Sequence, residues 1–307
     1  MKLTRLLQLS LLCAAGKASA ASIYWVSDQF NAQTATVGAG PYSDDGIVAL
    51  LTGAGHTVTR FNPPDAGAIT AGDVAAMNAA DLVIIGRSIA SGAFDTAAET
   101  LPWNTLITKP LICTNTYINR SSRLGWYASG PNQPDQVLNN LSFTNLANPV
   151  TSYIVGNTAM SGNTTTNSIT QAIVYPDSQV DIRGISEITD PLVAGGNSIA
   201  TVAVGAATGQ YIAWWPANTA LAGTSAGQSL AGYRMQFLIG NRESATAGTS
   251  NNTALGAAGY ENLTAEGEQM FLRAVNVALN NGAIPEPGTT ALAGLAAAAL
   301  LLRRRRA

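Results

Sequence analysis

Two residues in this chain carry the chemistry of a nucleophile and its base: Cys113 and His56. A reactive thiol needs a histidine beside it, an acid behind that, and a tight strand-to-helix turn to expose it. Cys113 stands in Ile112-Cys113-Thr114-Asn115-Thr116 with no flanking glycine, and His56, the only histidine, enters a different segment. Cys113 therefore reads as a small core residue and His56 as a polar residue at a helix–strand corner. One histidine and one cysteine do not make a zinc set. Gly38-Ala39-Gly40 lacks the third glycine and the following helix of a dinucleotide loop. Asp177, Asp181, Glu187 and Asp190 form a loose acidic group that reads as a solvated loop rather than a calcium site. No cofactor, no metal and no catalytic residue is expected.

A different polar set converges if the strands run as read below. Ligands of open α/β sheets bind beyond the carboxyl ends of the strands. Those ends offer Asp28, Arg87, Ser88, Asn115 and Tyr117, followed by Arg120, Arg123 and Trp126. Arginine and aspartate among aromatic rings suit a sugar or a carboxylate. The plain alternative is that Asp28 and Arg87 pair with each other at the sheet edge. Asp28 and Asp44 are also the carboxylates an extracellular hydrolase would use, if they lay about 5–10 Å apart in an open cleft. Trp25, Trp103, Trp126, Trp214 and Trp215 read as core rather than as a carbohydrate platform.

The elements that would position these residues alternate. Short apolar runs at 22–28, 82–86 and 109–114 predict strands, as does 56–61, which Pro63-Pro64 closes. Helical spacing follows Ser43-Asp44-Asp45, and further helices are expected over 71–79 and, interrupted by Pro102, over 94–106. An Asn/Thr/Ser/Gly-rich stretch from 129 to 168 reads as an insertion. Strands at 169–175, 197–205, 210–215 and 233–239 suggest hairpins, and Thr264 caps a last helix stopped by Gly282. The pattern predicts an α/β domain over residues 21–283: a mostly parallel sheet flanked by helices, with a polar insertion and some antiparallel strands in the second half. The Gly55-His56-Thr57-Val58-Thr59 approach and Asp81-Leu82-Val83-Ile84-Ile85-Gly86 resemble the flavodoxin-like core of the class I glutamine amidotransferase-like superfold, without its catalytic triad.

The chain has 307 residues, 47% hydrophobic and 11% charged, which excludes intrinsic disorder. Between 21 and 283 stand nine basic and 17 acidic residues, a net charge of −8, with no basic stripe for nucleic acid. No apolar run of 18 residues exists, so a multi-span membrane protein is excluded. Only Cys113 remains after residue 20, so stability must come from the core rather than a disulfide.

The two ends are more specific. Lys2 and Arg5, the apolar run 6–15 and Ala18-Ser19-Ala20 predict a signal peptide over 1–20, cut between Ala20 and Ala21. At the other end Pro285-Glu286-Pro287 precedes an Ala/Leu-rich segment, 288–302, and Arg303, Arg304, Arg305 and Arg306. Fifteen residues of helix span about 22 Å, a marginal crossing that needs the arginines to snorkel. The arginines place the tail's end on the cytoplasmic side and the domain outside. This tail, residues 284–307, resembles a PEP-CTERM sorting signal. The resemblance implies recognition and processing by a membrane-embedded exosortase near Pro285-Glu286-Pro287, after transient inner-membrane anchoring. It further implies export in a Gram-negative-type bacterium, to the cell surface or the extracellular polysaccharide matrix. The domain is expected to act there without catalysis. The alternatives are an extracellular hydrolase and a small-ligand, sugar-binding module using the strand-end residues.

Overall fold

A computed structural model describes residues 20–27, 42, 44–64, 67–87, 89–130, 140–169, 189–240 and 263–282. Residues 1–19, 28–41, Ser88, most of 169–175, and those from 283 lie outside the described residues. So do Asp28, Asp177, Asp181 and Glu187.

The first half begins as its apolar runs require. β1 (Ser22–Val26), β2 (Thr57–Phe61), β3 (Leu82–Ile85) and β4 (Leu111–Cys113) pair in parallel, and β3 and β4 are buried along their whole length. Parallel strands covered on both faces need such continuous apolar runs. Helix α1 (Asp45–Gly53) crosses from β1 to β2, and α2 (Ala71–Ala79) from β2 to β3. The hydroxyl of Thr70 accepts the Asp73 N–H and the Asp73 carboxylate accepts that of Thr70, a capping box that starts α2. Pro102 does not break the next helix. It follows α3 (Ala97–Leu101) directly and opens a wider helical turn over Pro102–Leu106, which accommodates the missing N–H.

Beyond β4 the expected flavodoxin-like, helix-flanked parallel sheet is not what forms. Among the described residues the sheet has ten strands, in the order β2-β1-β3-β4-β10-β9-β8-β5-β7-β6. Only β10 (Arg234–Phe237) joins the parallel set, beside β4. From there outward every pairing is antiparallel: β9 (Ala207–Trp215), β8 (Asn197–Val204), β5 (Leu141–Phe143), β7 (Thr164–Thr165) and β6 (Met160–Ser161). The physical reason lies in the connections. Parallel neighbours need a crossover helix, whereas β8 and β9 are joined by Gly205-Ala206, with Gly205 at φ +59. Within 140–168 the expected insertion supplies sheet-edge strands and one short helix, α5 (Ser152–Asn157), after α4 (Thr116–Asn119).

Two apolar layers sandwich the sheet. One sets Ile23, Trp25, Ile84, Ile112, Met235 and Phe237 against α1 and against α6 (Ala265–Leu279). The other sets Val83, Ile85, Leu111 and Cys113 against Met77, Phe94, Trp103 and Trp126. Phe271, Ala274, Val275 and Ala278 of α6 are fully buried, as their spacing requires, and Thr264 caps the helix by accepting the Gly267 N–H.

Candidate functional site

The carboxyl ends of β3 and β4 do bring a polar group together. Asn115 follows β4 and caps α4 by accepting the Tyr117 N–H at 2.9 Å. Its amide donates to the carbonyls of Arg87 (3.0 Å) and Ile89 (3.2 Å), which ties the loop after β3 to the start of α4. That tie holds the Arg87 guanidinium 5.0 Å from the centre of the Tyr117 ring, and Arg87 is almost wholly buried. One turn on, burial and the neighbouring Arg123 push the Arg120 guanidinium below its ordinary value, with Asp95 and Tyr117 acting in the opposite sense. Arg123 is fixed by Asp95 at 2.6 Å and by the Ser91 carbonyl at 2.7 Å. Arg87, Asn115, Tyr117, Arg120 and Arg123 thus form one cationic array with an aromatic face. Asp28 and Ser88 lie outside the described residues, and the Asp28–Arg87 pair with them. Trp126 is not part of the array: it is fully buried, its indole N–H on Asn104 at 3.3 Å and its ring against Trp215 at 5.1 Å.

The thiol and the imidazole are kept apart. Cys113 ends β4 and is fully buried, donating to the Asn115 carbonyl at 3.4 Å; burial pushes its thiol up to about 12. A thiol at that value carries no useful thiolate at neutral pH. His56 precedes β2, at the opposite end of the strands. Asp44 is closed as well: its buried carboxylate accepts the Trp25 indole N–H and pairs with Arg60, which also pairs with Asp45 and lies over the Tyr42 ring at 4.6 Å. Asp44 therefore closes the entry to α1 instead of facing a cleft. Asp190, last of the acidic group, accepts the Ser129 hydroxyl at 3.3 Å. Among the described residues no cluster of three or more His, Cys, Asp or Glu side chains could hold a metal ion.

Sequence reasoning missed a buried polar network behind the array. Gln236 of β10 accepts from Asn119 (3.0 Å) and Tyr127 (2.8 Å) and donates to the Gln210 carbonyl (2.9 Å). Asn104 donates to Leu124, Ser225 and Gln228. Arg234, fully buried, donates to the carbonyls of Trp103, Ile107, Lys109 and Tyr233. A lone Gln or Arg in an apolar strand was the available signal, since such a residue must find partners inside.

At the amino ends of the strands, Ala21 and Gly282 are both pinned. Ala21 precedes β1. Gly282, at φ +80, donates to the Val277 carbonyl at 2.9 Å and closes α6 against Tyr233, where a Cβ would come within 2.7 Å of the ring. Tyr233 precedes β10 and stacks on Trp214, the ring centres 5.6 Å apart. Because β1 and β10 belong to one parallel set, Ala21 and Gly282 leave from the same edge of the sheet, opposite the cationic array.

Residues 283–306 match the family model of the PEP-CTERM protein-sorting motif. This match implies an exported, exosortase-processed protein with a transient C-terminal membrane anchor; it extends over the tail and leaves the domain unassigned. Among the described residues no helix is long and apolar enough to cross a membrane. No curated protein matches the chain. A cytoplasmic protein from Salmonella typhimurium is similar in structure at a TM-score of 0.44 and 7% identity, over 82% of this chain and 97% of that one. At that level the likeness establishes neither a fold family nor a function, and the resemblance to the amidotransferase-like superfold gains no support from it.

Proposed function

We propose that this is a non-catalytic protein of the cell surface or the extracellular polysaccharide matrix, cut from its anchor near Pro285-Glu286-Pro287. The sorting-motif match over 283–306 carries the reading. The fold adds support. Gly282 ends the last helix, and Gly288 opens the apolar segment six residues later, a reach of roughly 20 Å at most. While anchored, the domain sits with its Ala21–Gly282 edge toward the bilayer and its cationic array turned outward. Replacing Arg303, Arg304, Arg305 and Arg306 with neutral residues should impair retention and processing, because the short helix loses its cytoplasmic anchor. Intact-mass measurement of the released protein is expected to show it ending near the Pro-Glu-Pro motif. Unchanged processing of the variant, or released protein still carrying Leu302, would refute the reading.

A second reading is favoured by the Arg87–Tyr117 stack: the outward array binds a small anionic or sugar ligand. The hydrolase reading fares worse, because Asp44 is engaged by Trp25 and Arg60 inside the fold.

A further inference from the structure

His56 has a partner that only the fold reveals. Its backbone N–H closes the turn after α1 on the Leu51 carbonyl at 3.2 Å, and its side chain is buried. Nδ1 accepts the backbone N–H of Ala21 at 3.3 Å. Ala21 is itself buried, whereas Ala20 is exposed. The Ala21 carbonyl accepts the Thr57 N–H at 2.9 Å. Ser22 is clamped by Asp81, whose carboxylate accepts its N–H (2.8 Å) and its hydroxyl (2.7 Å) and whose own N–H donates to the Ser22 carbonyl (2.9 Å). All the polar groups of Ala21 and Ser22 are engaged, directly after the small-x-small sequence Ala18-Ser19-Ala20.

We propose that hydrolysis of the Ala20–Ala21 bond leaves an α-amino group that docks on His56 as the N-terminus of the mature protein. The proposal rests on the reading of residues 1–20 as a leader. Water is the co-reactant: the Ala20 C–N bond breaks, Ala20 leaves as a carboxylate, and the Ala21 nitrogen takes the proton. One N–H of the new amine keeps the bond that the amide made. Nδ1 accepts it only in the neutral imidazole with hydrogen on Nε2, and burial lowers the His56 value in the direction that favours this form. Among the described residues the charged groups at this corner are Asp81, at the start of β3, and Lys109, before β4, whose charge acts on Asp81. Asp81, whose carboxylate is held on Ser22, the residue after the amine, supplies the countercharge. The docked amine is shielded from aminopeptidases and acylating reagents, which suits a protein released outside the cell.

The test uses full-length protein exported from a host, beside a variant with one serine inserted between Ala20 and Ala21. The N-terminal peptide is followed by mass spectrometry during acylation at neutral pH. Lys109, the lone lysine after residue 20, serves as the internal reference amine. Ala21 should acylate more slowly than the serine-extended terminus by on the order of tenfold or more, because reaction waits on local opening. His56→Leu should raise the Ala21 rate toward that of the extended form. Equal rates for Ala21 and the inserted serine would overturn the docking while leaving the leader reading intact. A mature protein that begins elsewhere than Ala21 would overturn both.

Discussion

Replacing Arg234 with methionine tests whether the buried guanidinium holds the core together or merely survives there. Arg234 opens β10 and is fully buried, and burial pushes its guanidinium down to about 9, so it stays charged in the fold at neutral pH. Its partners are carbonyls gathered at the end of the Pro102–Leu106 turn and the start of β4, where the partial negative charge of a helix C-terminus favours a cation. Methionine keeps the unbranched stem and removes the donors. The Tyr233 carbonyl keeps the Leu111 N–H, but those of Trp103, Ile107 and Lys109 lose their arginine donor. A buried acceptor left unpaired costs about 1–3 kcal/mol, and removing the buried cation returns a few kcal/mol of desolvation. The balance is a loss of about 3 kcal/mol, or a fall in Tm of roughly 6–12 °C for a domain of this size. Thermal unfolding followed by circular dichroism measures it, with Lys109→Ala as a control that keeps its carbonyl and should stay within about 0.5 kcal/mol. An Arg234→Met protein within about 1 kcal/mol of the parent would refute the reasoning, since it would mean the carbonyls find water or other donors.

Cys113 should resist thiol reagents in native protein and react only on unfolding, and Cys113→Ala should cost about 1 kcal/mol or somewhat more by denaturant titration; rapid native labelling that abolished an activity would revive a catalytic role. His56 is lowered in the fold, so the unfolded chain takes up its proton first. Its contribution to stability is therefore complete above the unfolded value of about 6.5 and is lost as pH falls below it. Unfolding midpoints at pH 7.5 and 5.5 should differ more in the parent than in His56→Leu. If the outward array takes a ligand, Arg87→Ala should weaken retention of matrix extract and His56→Leu should not, as a pull-down would show.

The first four strands were legible through local signals: β1, β3 and β4 are short apolar runs, and β2 is closed by Pro63-Pro64. Asp44 shows where such signals mislead. It stands where an N-cap belongs, but its carboxylate goes to Trp25 and Arg60, two residues brought to it only by the pairing of β1 with β2. The extent of the antiparallel half was not legible for a related reason. Gly205-Ala206 reverses the chain in two residues, which commits β8 and β9 to a hairpin, but the placement of β5 against β8 depends on contacts about 60 positions apart in sequence. The cationic array was legible in part, through Arg87, Asn115, Tyr117 and Arg120 at strand ends. The network through Asn104, Gln236 and Arg234 was not, because single polar residues inside apolar strands leave no periodic trace.

The placement of Ala21 and Gly282 follows from α6 and the parallel set. After β10 the chain must return along the sheet, and the 15 residues of α6 cover about 22 Å. Strands of four or five residues span only about 13–17 Å. The helix is therefore long enough to carry the chain from the carboxyl ends of the strands past their amino ends. Its last turn closes on Tyr233, where Gly282 alone accommodates both the positive φ and the contact with the ring. A side chain at 282 would meet the Tyr233 ring and push the end of the last turn away from it.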